Sequence, residues 1–267
     1  MPVGLEYGDY FRFRSTILVN YGKPINVTEY VKEHEGETEA MIINDLKTIL
    51  TERMAELITY IPDDENYDAI WEMTKIRAGL LPLTQKMQLA RNKRIIANIL
   101  KFREKEPDKA NTLFEKVNEF MNHRKAEGIS VLSVALRTPF WRTLWKTLMV
   151  LLGLPFFIVA AVVSCPIWIV ASFILKNLKD QAFRNTVNVC VELIMHPLVM
   201  ATGVTLLFCL VPWKLAILGS IFIYFSYVYY FDYSEYVRLW TSDLRWTFNK
   251  KLRKEFKELG LFKRRKR

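Results

Sequence analysis

The 267-residue sequence has few of the residues that most often carry chemistry, with three cysteines and three histidines. Cys165, Cys190 and Cys209 all lie in or beside apolar stretches, with neither the spacing nor the histidine companions of a metal site. They read as small buried hydrophobes in a reducing or lipid setting, and no metal site is expected. His34 sits in the acidic stretch His34-Glu35-Gly36-Glu37, His123 at a charged helix end, and His196 before Pro197 inside an apolar run. Each reads as a solvated or locally hydrogen-bonded histidine rather than a base. His196 carries more weight than the others because polar groups within membrane segments tend to be functional. GxSxG, P-loop, GxGxxG, HExxH and CxxC patterns are absent, so the sequence nominates no catalytic residue. The opening residues have neither the basic nor the apolar region of a secretory signal, and nothing in them is expected to direct export.

Charge is missing from long stretches, and the charge that remains is unevenly placed. Residues 1–147 hold 22 Lys+Arg against 21 Asp+Glu, whereas residues 148–267 hold 16 against 7. The net charge of +10 therefore belongs to the second half, where the uncharged runs lie. Cations flanking apolar runs follow the positive-inside bias of membrane proteins, and with no nucleic-acid motif beside them they argue against a DNA or RNA partner.

Residues 148–175 form a 28-residue uncharged run containing Pro155 and Pro166, longer than the roughly 20 residues that cross a bilayer. Arg142 and Lys146 precede it, and Lys176, Lys179 and Arg184 follow it, so both flanks are positive. Two readings stay open: a run that enters and returns, or one tilted spanning helix with proline kinks. Residues 193–213 and 215–231 are two further uncharged runs joined at Lys214, which predicts an antiparallel hairpin with both ends cytoplasmic. Tyr224, Tyr227, Tyr229, Tyr230 and Tyr233 cluster toward its exit and resemble an aromatic belt. Beyond it, residues 238–267 carry 12 Lys+Arg against 3 Asp+Glu, with Trp240, Leu244, Phe248, Leu252 and Phe256 at steps of four. That spacing predicts a basic amphipathic helix on an anionic membrane surface, aided by the terminal Lys263-Arg264-Arg265-Lys266-Arg267.

Ahead of the apolar runs the reading is different. Residues 3–7 and 16–21 have the composition of two strands, punctuated by Gly8, Gly22 and Lys23-Pro24. Two strands alone do not make a stable sheet in water, so they call for a partner. Apolar periodicity then predicts helices over about 36–60, 67–81, 84–105 and 107–126, with breaks at Pro62, at Glu106-Pro107 and at Gly128. The fold class expected is mostly α: two strands over 1–30, a soluble helical extension over 31–147, membrane-embedded helices over 148–237, and a basic tail over 238–267.

The blocks Pro2-Val3-Gly4-Leu5-Glu6-Tyr7, Phe11-Arg12-Phe13-Arg14-Ser15 and Val19-Asn20-Tyr21-Gly22-Lys23-Pro24-Ile25 resemble the last characteristic block of the glycerolipid acyltransferase superfamily. In those lysophosphatidic acid and glycerol phosphate acyltransferases, a strand with a V-P-V core is followed by a second strand ending in G-x-P-I. Here Pro2, Val3, Gly22 and Pro24 carry that likeness. Residues 176–184, ahead of a membrane hairpin, are similar to a long bacterial branch of the family. The resemblance implies that the two strands belong to an α/β acyltransferase sheet. It also implies that Arg12 and Arg14 could hold an anionic headgroup, and that the donor in a full-length relative is acyl-CoA or acyl carrier protein. The family's HxxxxD pair and FPEG-like block are missing: Glu39, Gly128 and Ala201 stand five residues after His34, His123 and His196. The expectation is thus the C-terminal portion of a membrane-bound acyltransferase of phospholipid biosynthesis, inactive by itself and seated in the inner membrane with both termini cytoplasmic. The alternative is a membrane-anchored adaptor without enzymatic activity. A transporter, with Glu192 and His196 lining its path, comes third.

Overall fold

The computed structural model describes residues 1–8, 15–63, 65–79, 84–135, 140–178, 180 and 183–261. These residues form two compact units. The first contains an antiparallel hairpin, β1 (Val3–Tyr7) and β2 (Ile17–Tyr21), and the helices α1 (Val27–Glu33), α2 (Glu39–Ala55), α3 (Tyr67–Ala78), α4 (Gln85–Lys105), α5 (Pro107–Ala126) and α6 (Val131–Ala135). The second unit contains α7 (Phe140–Lys176), α8 (Arg184–Leu210) and α9 (Trp213–Phe248), after which α10 (Lys250–Glu258) belongs again to the first. The mostly helical class with two N-terminal strands is as the sequence predicts.

The first unit has its core where the apolar periodicity is strongest. Ile70, Met73 and Ile76 recur on one face of α3 and are buried with Ile96 and Ile99 of α4, Phe114, Val117 and Phe120 of α5, and Val134 of α6. Burial contributes about 1.5–3 kcal/mol for each large side chain. Helix ends are set by local chemistry. The Thr84 hydroxyl accepts the Met87 N–H at 3.4 Å to start α4, Pro107 occupies the first turn of α5, and Gly79 (φ 64°) and Gly128 (φ 62°) follow α3 and α5 in the left-handed region. Inside this core the Glu72 carboxylate accepts two hydrogen bonds from Arg124, at 2.6 Å from Nε and 2.9 Å from Nη2, and Arg124 also donates to the Ile129 carbonyl.

Three elements differ from expectation. Helix α1 is short and buries no residue, although Val27, Tyr30 and Val31 share one face; it forms where the Asn26 side chain accepts the Glu29 N–H at 3.3 Å. The helix expected over 36–60 is confined to α2, since residues 56–60 turn away to meet the hairpin. The tail stripe is also divided, because α9 continues unbroken through Trp240 to Phe248 and the chain breaks at Asn249. In α10, Leu252 is buried, Phe256 packs on Phe120 with centroids 5.5 Å apart, and Glu255 pairs with His123 of α5 at 2.9 Å. The apolar side of α10 thus lies on α5 while Lys251, Arg253, Lys254 and Lys257 face outward. The terminal residues 263–267 lie outside the described residues.

In the second unit, three helices are long and apolar enough to cross a membrane, and at most 22% of the most apolar window of each is buried within the protein. Such surface is tolerated when lipid rather than water surrounds it. The chain is a membrane protein.

Candidate functional site

The hairpin residues that carry the acyltransferase likeness have clear structural roles. Its register pairs Val3 with Tyr21, Gly4 with Asn20, Leu5 with Val19, Glu6 with Leu18 and Tyr7 with Ile17. Side chains alternate between faces, so Gly4, Glu6, Leu18 and Asn20 share one face and the odd-numbered residues share the other. The even face lies against residues 57–59. The Glu6 carboxylate accepts the Thr59 N–H at 2.9 Å and the Thr59 hydroxyl at 2.6 Å, and Asn20 Nδ2 donates to the Leu57 carbonyl at 2.7 Å. A Cβ on Gly4 would stand 2.5 Å from Leu57 Cβ, and one on Gly22 would stand 2.9 Å from Pro2 Cγ and 3.1 Å from Leu57 Cδ1. The motif glycine Gly22 therefore closes the hairpin against buried Pro2, whose carbonyl accepts the Gly22 N–H at 2.9 Å. Pro24 and Lys23 offer their carbonyls to Arg53 at 3.4 Å. Beneath the same corner Lys93 donates to the Glu56 carbonyl; desolvation lowers its pKa, and the carboxylates of Glu56 and Glu6 oppose that shift.

The odd face is apolar and open. Val3, Leu5, Tyr7, Ile17, Val19 and Tyr21 are between 36 and 68% exposed, and among the described residues the sheet ends at these two strands. Six apolar side chains in adjacent cross-strand pairs form a surface that soluble proteins normally cover. Nearby, Val27 and Val31 of α1 and Met41, Ile43, Leu50 and Met54 of α2 are also exposed. Arg12 and Arg14 lie outside the described residues.

The histidines are dispersed, as their local sequences predict. His34 ends α1, stacked on Tyr30 at 4.2 Å with Nδ1 2.8 Å from the Tyr30 carbonyl. His123 joins α5 to α10 through Glu255. His196 lies edge-on to Tyr224 and Tyr227, with centroids 6.0 and 6.3 Å away. Among the described residues no group of three or more His, Cys, Asp or Glu side chains is arranged to hold a metal ion.

The polar chemistry of the membrane unit instead ties α7 to α9. Lys146 pairs with Asp243, which is 1% exposed; Trp240 Nε1 donates to the Thr147 hydroxyl at 2.8 Å; and the Thr143 and Thr247 hydroxyls lie 3.3 Å apart. Pro155 has no N–H, so the α7 ladder is interrupted in the turn before it. There the Tyr229 hydroxyl donates to the Gly153 carbonyl at 2.9 Å, and the Tyr233 hydroxyl donates to that of Val150. A Cβ at Gly153 would sit 2.5 Å from Tyr233 Cε2 and 2.9 Å from the Tyr229 hydroxyl. The tyrosines that resemble a headgroup belt in the sequence thus include two that pack inward on a helix backbone. The signal for this was present in the lone Gly153 and in the four-residue spacing of Tyr229 and Tyr233. The Lys146–Asp243 pair, 97 residues apart, had none.

No protein-family model, curated protein or solved structure matches the chain.

Proposed function

We propose that this chain is the C-terminal portion of a membrane-bound acyltransferase of phospholipid biosynthesis, in which β1 and β2 complete an α/β sheet supplied by a preceding catalytic segment. The observation that carries this reading is the open odd face of the hairpin, with Val3, Leu5, Tyr7, Ile17, Val19 and Tyr21 in register and, among the described residues, no third strand in the sheet. A two-stranded ribbon with one apolar face is what remains when the neighbouring strands and covering helices of a larger sheet are removed. The block Pro2, Val3, Gly22 and Pro24 gives the sheet its family likeness. The acceptor in the whole enzyme is lysophosphatidic acid or glycerol phosphate, the donor is acyl-CoA or acyl carrier protein, and Arg12 and Arg14 are the residues this reading assigns to an anionic headgroup. The membrane is the inner membrane, with both termini cytoplasmic, in keeping with cations on both flanks of the apolar helices. The outward cations of α10 supply electrostatic attraction to anionic lipid.

The HxxxxD pair that would supply a base for the acceptor hydroxyl has no counterpart in this sequence. Purified in detergent and given acyl donor with lysophosphatidic acid or glycerol 3-phosphate, it is expected to show no turnover above a heat-killed control. Clear turnover contradicts the reading.

A second reading, a membrane-anchored adaptor, draws support from the complete core of α3 to α6, which needs no missing partner. It differs in one measurable respect. In the full chain the amides of an adaptor's hairpin exchange as slowly as those of α3 and α5, whereas an uncovered sheet fragment exchanges much faster than the bundle.

A further inference from the structure

Three apolar helices suggest three crossings, yet the connectivity requires an even number. The chain leaves the first unit before α7 and returns to it after α9, and α10 packs on α5 through Phe256 and Phe120 and through Glu255 and His123. A single compact water-facing body lies on one side of a bilayer, so the segment between its two parts must cross an even number of times.

The pairing within the membrane unit identifies the helix that does not cross. Helices α8 and α9 are antiparallel neighbours: Gly203 faces Ile223 and Gly219 faces Leu207, with the turn at Val211 and Pro212. They supply one crossing each. Helix α7 begins antiparallel to α9, with Thr143 beside Thr247, Lys146 beside Asp243, Thr147 beside Trp240, Val150 beside Tyr233 and Phe157 beside Tyr230. Continued straight, ten further residues, about 15 Å, would bring Ile167 close to Ser220. Instead Ile167 and Ala171 are clustered with Val191 and Tyr227, and Val187 and Phe231 pack against that cluster. The second half of α7 therefore meets the same level of α9 that Phe157 has already reached. Between them lie Ala160 and Ser164, 0 and 1% exposed, and then Pro166, where the helix loses a backbone donor.

We infer that α7 is a re-entrant element: it enters the membrane from the side of the first unit, bends back between Phe157 and Ile167, and leaves on the same side, so that only α8 and α9 span. Its exposed side chains, among them Leu151, Leu152, Phe156, Ile158, Val159 and Val162, form a surface for the acyl chains of one leaflet. Charge agrees with this arrangement. Arg142, Lys146, Lys176, Arg184, Arg238 and Arg245 fall on the side of the first unit, and Lys214 at the α8–α9 turn falls on the other. The inference does not depend on the acyl-transfer reading.

The test is sidedness in sealed vesicles of known orientation. Cys165, Cys190 and Cys209 are replaced by alanine, and single cysteines are placed at the exposed positions Lys125, Asn177, Lys214 and Lys257. Each is labelled with a membrane-impermeant maleimide and normalised to labelling after detergent. Positions 125, 177 and 257 are expected to react from one side and 214 from the other, each with at least a tenfold preference. Reaction of 177 from the side opposite 125 overturns the inference. The unmodified chain gives the same answer without any variant, because trypsin applied to one face should cut after Lys176 and Lys257 together. Cleavage after Lys176 and Lys214 from the same face contradicts the proposal.

Discussion

At the scale of single residues, the positions that organise this protein are small or charged rather than large and apolar. Glu72 and Arg124 form a bidentate pair buried among Ile70, Met73 and Phe120. Removing one partner strands a charge in the core, which typically costs about 3–5 kcal/mol, whereas replacing both with apolar side chains is often close to neutral. Arg124→Met is expected to lower the stability of the first unit by that amount, and the Glu72→Leu/Arg124→Met double variant to recover most of it, as measured by urea unfolding of the full chain in detergent micelles. A loss below about 1 kcal/mol in the single variant would place the pair in solvent. Gly4 and Gly22 act differently: Gly4 lets the hairpin approach Leu57 more closely than a Cβ permits, and Gly22 lets it close on Pro2.

At the scale of elements, the contact of α7 with α9 turns on Gly153, where two tyrosine rings cross the helix backbone. Gly153→Val is expected to force the helices apart along their shared length. The readout is a disulfide between Thr143→Cys and Thr247→Cys, whose hydroxyls lie 3.3 Å apart in the parent. Cross-linking should be efficient with Gly153 present and fall severalfold with valine, and unchanged yield would mean that the contact does not govern helix approach. Helices α3, α4 and α5 were legible because Ile70, Met73, Ile76, Ile96, Ile99, Phe114 and Val117 repeat with the helical period and end at Pro107 and Gly128. Helix α1 was not, since a single Asn26 cap and no buried face support it. The fold-back of α7 was legible only as an alternative: Pro155, Pro166 and the two positive flanks permit it, while the return to Tyr227 is a tertiary fact. The hairpin's two faces could be read from alternation, but what the even face packs on could not, because Leu57 and Thr59 lie more than thirty residues beyond β2. Within the stripe expected for the tail, the packing of Phe256 on Phe120 of α5 is likewise a tertiary contact that the sequence did not signal.

At the scale of the whole molecule, the first unit holds two kinds of structure. The bundle of α3 to α6 closes its own core, while the segment before it leaves apolar side chains of β1, β2, α1 and α2 uncovered. The membrane unit exposes apolar surface too, but there a bilayer accounts for it. For the open face of the hairpin, the function proposed above calls for a sheet completed by a preceding catalytic segment. The most direct measurement is to read the coding DNA upstream of Met1 in the same frame. An open frame encoding an HxxxxD pair and an FPEG-like block is the predicted result. A stop codon directly upstream in that frame, with a transcript that starts there, would contradict it and leave the adaptor reading in its place.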